Sequence, residues 1–416
     1  MRFGLARSAA QRQQFPLDHR SPLGELPEPN RFRHQTYRGS APTAPWHSLP
    51  APTMPKVGSP EFNRRMRRVG EALRAADVGA IFLVHGTFAG IDALGILAEL
   101  ARWYPAGRDS IGHIAKRMVD ALAGDAGNYT TGYAESFEES IRGPGEPVGV
   151  RLFHWSSENH HLGRADAAVR LIDEIAALEL PPRRRILVWG HSHAGNVFAL
   201  MSNLLAGDAE SIERFFAAAG VYYRVPLTGL IDIPVWERVR RLLAHDARRL
   251  AERPIDMVTF GTPIRYGWDR RGHDGLLHFI HHRPSADLPP YRAQFPPRLD
   301  EVFQASGGDY VQQIGIAGTN AAPSVLAWRA FAADRNLNEL LQPGLAPRDL
   351  IGRLELGMRV HEAGTTLLVD YGPAEGSLAH HLAGHAVYTR HEWLLFHAEE
   401  VVRRLYPEQV SSVGAA

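Results

Sequence analysis

The sequence predicts an α/β fold built on a mostly parallel, doubly wound sheet of about six strands, with helical and loop insertions. Three observations lead there. Short apolar runs recur at residues 78–84, 148–155, 186–189, 255–262, 311–318 and 365–369, each the length of a buried strand. Helical apolar spacing separates several of them, as right-handed crossovers between parallel strands require. One run, 186–189, passes through a glycine turn directly into a helical pattern.

Taken in order, residues 1–60 lack periodicity and carry many prolines, Pro42, Pro45, Pro50, Pro52, Pro55 and Pro60 among them. They are expected to form a disordered Pro/Arg-rich tail. Residues 61–76 read as a helix. No strand is expected before Val78. Residues 61–408 then form one domain, with insertions near 208–252, 264–310 and 321–362, and 409–416 form a disordered end. Helices are expected at 91–103, 111–123 and 164–178, and residues 124–147 as a glycine-rich loop. The stripe Trp236, Val239, Leu243, Ala247 and Leu250 has helical spacing and faces the core. Thr389 and Glu392 have the spacing of a capping box at the start of the closing helix.

Composition excludes several classes. The chain has 416 residues, 44% of them hydrophobic, with a net charge of +1 and no cysteine. Near-neutral charge gives no bulk attraction to nucleic acid. The absence of cysteine removes disulfides, thiolate metal sites and a cysteine nucleophile, and fits a cytoplasmic location. No apolar run reaches the roughly 18 to 20 residues of a membrane span, and the first residues lack the apolar stretch of a signal peptide. The histidine groups His154, His160, His161 and His278, His281, His282 lack the spacing of a helical metal motif. No phosphate-binding glycine loop is present. No metal or cofactor is expected.

The chemistry centres on residues 185–206. Gly190-His191-Ser192-His193-Ala194 places a serine between small residues in a strand-to-helix turn. Such a turn lifts the hydroxyl above a helix N-terminus, where the dipole and free N–H groups favour negative charge. Upstream, residues 78–84 run into His85-Gly86-Thr87-Phe88. Downstream, Thr259-Phe260-Gly261-Thr262-Pro263 ends another strand.

These strings resemble the α/β-hydrolase superfamily, in particular its lipase and esterase branches, in separated blocks between Val78 and Leu405. Alanine at 194, where glycine is usual, is a departure. The resemblance implies Ser192 as nucleophile and the backbone N–H groups of Thr87 and His193 as the oxyanion hole, with Phe88, His191 and Pro263 contacting substrate. Its order of serine, acid, histidine puts the base in the loop after the last strand. His385 is selected there, with His380 and His381 as alternatives. The acid usually follows the penultimate strand, where this reading finds Asn320, an amide. Asp370 at the end of the last strand is therefore selected, with Glu375 and Asp334 as fallbacks. The expected activity is hydrolysis of a small-molecule or lipid-like carboxylic ester through an acyl-enzyme. An acyltransferase or amidase would use the same groups. A scaffold that has lost catalysis and binds a ligand or protein is the other reading, motivated by Asn320 and Ala194.

Overall fold

A computed structural model of the chain describes residues 41–50, 53–86, 127–181, 183–225, 227–245, 250, 253–295, 298–316, 320–342, 347–373 and 381–409. Seven strands form one sheet: β1 (Trp46–Pro50), β2 (Val78–Val84), β3 (Gly149–Phe153), β4 (Arg185–His191), β5 (Ile255–Phe260), β6 (Gly275–His281) and β7 (Thr365–Asp370). All pairs are parallel, in the order β1-β7-β6-β5-β4-β2-β3. The fold is therefore the expected α/β doubly wound type, with one strand more.

The helices are α1 (Pro60–Ala75), α2 (Thr131–Ser140), α3 (His161–Ala176), α4 (Ala194–Ala206), α5 (Ala209–Ala218), α6 (Gly220–Tyr223), α7 (Pro234–His245), α8 (Leu299–Gln304), α9 (Tyr310–Ile316), α10 (Trp328–Leu341), α11 (Pro347–Leu356) and α12 (Leu394–Leu405). Alternation along the strands divides the core. Ala80, Phe82, Val84, Ile186, Val188 and Met257 face α3, α4, α7 and α10. Val78, Ile81, Leu83, Leu187, Trp189, Val258 and Phe260 face α1, α2 and α12. Burying both faces of a parallel sheet is why these strands read as unbroken apolar runs.

Four expectations are corrected. Trp46–Pro50, inside the expected tail, is the edge strand β1, paired with β7 from Trp46↔Thr366 to Pro50↔Asp370. An edge strand tolerates its flanking prolines because one side needs no ladder bonds. Thr131–Ser140, inside the expected loop, is helical: Thr130 Oγ1 accepts the Tyr133 N–H, and Tyr133, Ala134 and Phe137 are buried. Gly275–His281, inside an expected insertion, is the interior strand β6. The expected strand at 311–318 is instead helix α9, begun where Asp309 Oδ1 accepts the Gln312 N–H. Expected helices at 91–103 and 111–123 lie outside the described residues.

The histidines of β6 are core groups with partners. His278 hydrogen-bonds with Thr259 Oγ1 at 2.6 Å and stacks on His361 at 3.8 Å. His281 hydrogen-bonds with the Val369 carbonyl at 3.2 Å. Burial lowers the pKa of His281 to about 4 and those of His361 and His397 to about 3. These rings stay neutral in the folded chain, whereas in the unfolded chain they take up protons below pH about 6.5. The sign follows: their contribution is complete above that pH and is lost as pH falls towards about 3. Each ring removes up to about 1.4 kcal/mol per pH unit between the unfolded value and its own folded one, about 4 for His281 and about 3 for His361 and His397. The melting temperature, followed by circular dichroism, is expected to drop steeply from pH 7 to pH 5. A flat profile over that range would contradict the buried neutral histidines.

Candidate active site

The site lies where the strand order reverses. The chain steps outward from β2 to β3, then crosses β2 to reach β4 and continues the other way to β7. The carboxyl ends of β2 and β4 thus flank the crevice in which open α/β sheets bind ligands. β2 ends in His85-Gly86 and β4 in His191-Ser192, with Val84 opposite Gly190.

Ser192 has φ 57°, in the left-handed region that side-chain-bearing residues seldom occupy. Its neighbours hold it there. The Ser192 N–H donates to the Phe260 carbonyl at 2.7 Å, and Thr262 Oγ1 donates to the Ser192 carbonyl at 2.7 Å. The close packing explains the small residues. A Cβ on Gly190 would meet the Phe198 ring at 2.5 Å and the Ala194 Cβ at 2.9 Å. Alanine at 194 fits because residue 190 is glycine. A Cβ on Gly86 would stand 2.6 Å from the Ser192 Cβ. The His85-Gly86 turn therefore lies directly against the serine.

His385 lies over the same turn. Its Nδ1 donates to Asp309 Oδ2 at 2.7 Å, and its buried Nε2 has no hydrogen-bond partner among the described residues. The ring packs on that of His191, 4.5 Å between centroids, and the His191 Nε2–H donates to the His385 carbonyl at 3.1 Å. Burial and the adjacent His385 lower the pKa of His191 to about 3, so it remains a neutral donor. Gly261, one residue beyond the Ser192 partner Phe260, has φ 60° and lies beneath the pair. A Cβ there would meet Tyr388 at 2.5 Å, Asp309 Oδ2 at 2.7 Å and His385 Cε1 at 3.1 Å.

Asp309 is fully buried. Burial by itself would raise its pKa. The facing His385 and the Gln312 N–H at 2.8 Å outweigh that and, with Arg359, hold the carboxyl below its usual range. Tyr388 Oη also donates to Oδ2, at 2.9 Å, and Arg359 donates to the Asp309 carbonyl. An ionised carboxylate on Nδ1 fixes the proton there and leaves Nε2 as the basic nitrogen.

The carboxylate that meets His385 is thus Asp309, not the expected Asp370. Asp370 is part-exposed, lies 3.2 Å from Arg283 and accepts the Gly372 N–H. Asn320 plays no part in this pair. Its side chain contacts Arg164 and His161. Asp334 accepts the Leu162 N–H at 2.9 Å. Thr87, Phe88, Glu375 and His380 lie outside the described residues. The His193 N–H has no acceptor among the described residues, and its ring hydrogen-bonds with Asn196. His191 and Pro263, expected at the substrate, are buried supports: His191 braces His385, and Pro263 packs where a side chain on Gly315 would stand. His160 caps α3 by accepting the Gly163 N–H, and His161 bonds Tyr266 and Asn338.

Sequence reasoning missed Asp309 because β6 was read as an insertion. With β6 recognised as the penultimate strand, Asp309 follows it, where the resemblance expects the acid. No protein-family model, curated protein or solved structure matches the chain.

Gly261→Ala tests the packing. Overpacking of this kind costs about 1–3 kcal/mol. Its melting temperature is expected to fall by several degrees, while Gly58→Ala, with open space around it, falls less. Equal effects at the two positions would count against the close approach at Gly261.

Proposed function

We propose that the protein is a serine hydrolase of the α/β-hydrolase type, which cleaves a carboxylic ester through an acyl-enzyme. One observation carries the reading: on His191, the residue before a serine held in a left-handed strand-to-helix turn, packs a histidine whose Nδ1 is held by a buried carboxylate and whose Nε2 has no partner among the described residues.

The roles follow from the chemistry each group can perform. Ser192 Oγ attacks the ester carbonyl while His385 Nε2 takes its proton. Asp309 keeps the imidazole in the useful tautomer and stabilises the imidazolium that forms. The His193 N–H, with that of Thr87 as its expected partner, donates to the developing oxyanion. Each such donor is worth about 3 to 4 kcal/mol in studied enzymes. The C–O bond of the tetrahedral intermediate then breaks, and His385 returns its proton to the departing alkoxide. Water, deprotonated by the same nitrogen, releases the acid and restores the serine.

The competing reading, a scaffold without catalysis, rested on an amide at 320 in place of the acid and on alanine at 194. Asp309 on His385 and the fit of Ala194 against Gly190 favour the hydrolase over it. No helix among the described residues is long and apolar enough to cross a membrane. The substrate is read as a small-molecule or lipid-like ester, and a cytoplasmic location fits the lack of cysteine.

The test is labelling with a fluorophosphonate probe, together with turnover of 4-nitrophenyl esters of increasing acyl length. Ser192→Ala is expected to abolish labelling. Asp309→Asn is expected to lower kcat by about 10³- to 10⁴-fold, and Asp370→Asn by less than about threefold. Folded wild type that neither labels nor turns over any ester would sink the reading. Loss of activity in Asp370→Asn but not in Asp309→Asn would reverse the acid assignment.

A further inference from the structure

Arg164 is a fully buried guanidinium bonded to Tyr266, four residues after the Thr262 that holds the carbonyl of the proposed nucleophile, and the catalytic roles above do not use it. It sits in the first turns of α3. Its Nε donates to Tyr266 Oη at 2.9 Å, one terminal nitrogen donates to Asn159 Oδ1 at 2.7 Å, and the other donates to Asn320 Oδ1. All three acceptors are neutral. No carboxylate among the described residues lies within ion-pair distance of it. Asp334, at the same helix end, is engaged with the Leu162 N–H.

This arrangement is costly. A buried charge is expensive unless an opposite charge compensates it. A cation near a helix N-terminus is further disfavoured by the dipole. Neutral oxygens orient the guanidinium without neutralising it. A guanidinium has five N–H donors. Among the described residues three find acceptors, which leaves one on each terminal nitrogen, and a planar guanidinium with two such donors suits a carboxylate.

The three partners come from separate loops on the edge of the sheet that carries the serine. Asn159 precedes α3, Tyr266 follows the Gly261-Thr262-Pro263 turn, and Asn320 follows α9. Asn196, in the first turn of α4, ties the same region together. Its Nδ2 donates to the Pro263 carbonyl at 3.1 Å and contacts His193. A second buried guanidinium, Arg265, adjoins Tyr266, and its terminal nitrogen donates to Gln342 Oε1 at 2.8 Å. Both charges act on His193, the residue after the serine. Ser192 is only 6% exposed and His385 only 3%.

We propose that the substrate ester carries a carboxylate, in its acyl or alcohol part, and that Arg164 holds this carboxylate beside Ser192. The inference rests on the hydrolase reading. It narrows the substrate from esters in general to anionic esters, and it gives Asn159, Tyr266 and Asn320 the task of aiming the guanidinium.

The experiment compares mono-4-nitrophenyl esters of linear dicarboxylic acids, from glutarate to suberate, with neutral 4-nitrophenyl esters of matched chain length. Charge-assisted hydrogen bonds of this kind correspond to roughly 10- to 100-fold in affinity. Wild type is expected to prefer at least one anionic ester by about tenfold or more in kcat/KM, chiefly through KM. Arg164→Met is expected to collapse that anionic-to-neutral ratio, and Arg164→Lys to retain part of it. Fluorophosphonate labelling of Ser192 in each variant reports whether the site has folded. In wild type, free glutarate or suberate is expected to slow the labelling. Wild type that labels and cleaves neutral esters without preferring any anionic ester, and without protection by the diacids, overturns the proposal while leaving the hydrolase intact. A preference that survives unchanged in folded Arg164→Met also overturns it. Absence of labelling and of all turnover defeats the hydrolase reading itself.

Discussion

The left-handed turn at Ser192 is the constraint from which the rest of the site follows. A side-chain-bearing residue at φ 57° is strained, and it persists only because its surroundings determine it several times over. The Ser192 N–H is fixed by the Phe260 carbonyl and the Ser192 carbonyl by Thr262 Oγ1. Both partners come from the end of β5, so the turn cannot relax without disturbing the register between β4 and β5. The same closeness dictates glycine at 86, 190 and 195, where a Cβ would strike the serine, Phe198 or Thr262. It also sets the position of the base. His385 rests on His191 and above Gly261, the residues next to the two ends of the Ser192–Phe260 hydrogen bond.

Much of this was legible in the sequence because the relevant signals are local. β2, β4, β5 and β7 are buried on both faces and read as apolar runs. The elbow is a short string with strict steric demands. β6 was illegible for the opposite reason. In Gly275–His281 the histidines interrupt the apolar pattern, and only the folded structure reveals that Thr259 and the Ala363 and Val369 carbonyls satisfy them. Missing that strand moved the expected acid from Asp309 to Asp370, an aspartate at the end of β7 where Asp309 lies beyond that of β6. What separates them is a tertiary fact. Asp309 is fully buried against His385, Gln312 and Tyr388, and Asp370 faces Arg283 at the surface. The segment 311–318 was misread because its alternation suits a strand, whereas Asp309 starts a helix there. One residue thus ends the loop, starts α9 and orients the base.

That multiple use bears on rigidity. The loop carrying Asp309 is clamped by Arg359, which donates to the carbonyls of Asp309 and Gly307 and to Gln312 Oε1. The Asp309 N–H donates to the His281 carbonyl at the end of β6, and Tyr388 Oη donates to Asp309 Oδ2 while accepting the His281 N–H. The acid is therefore tied to the sheet by backbone and to the base-bearing loop by side chains. In the proposed hydrolase, a pair held in this way would lose little freedom when it accepts the serine's proton, which is what preorganisation supplies to catalysis.

Charge completes the argument. On one side of the elbow, Asp309 is an anion whose burial is offset by His385 and Arg359. Arg164, by contrast, is a buried cation that meets only neutral dipoles among the described residues. If its task were merely to tie three loops together, a neutral donor would meet the same three oxygens without the cost of burying a charge. Retaining a guanidinium there is consistent with an opposite charge that arrives from outside the chain. The neutral state of His161 and His193, whose pKa values are pushed well down by burial and by Arg164 and Arg265, belongs to the same field. An anionic group bound at Arg164 would relieve that field on one side of the serine, while Asp309 continues to hold the base on the other.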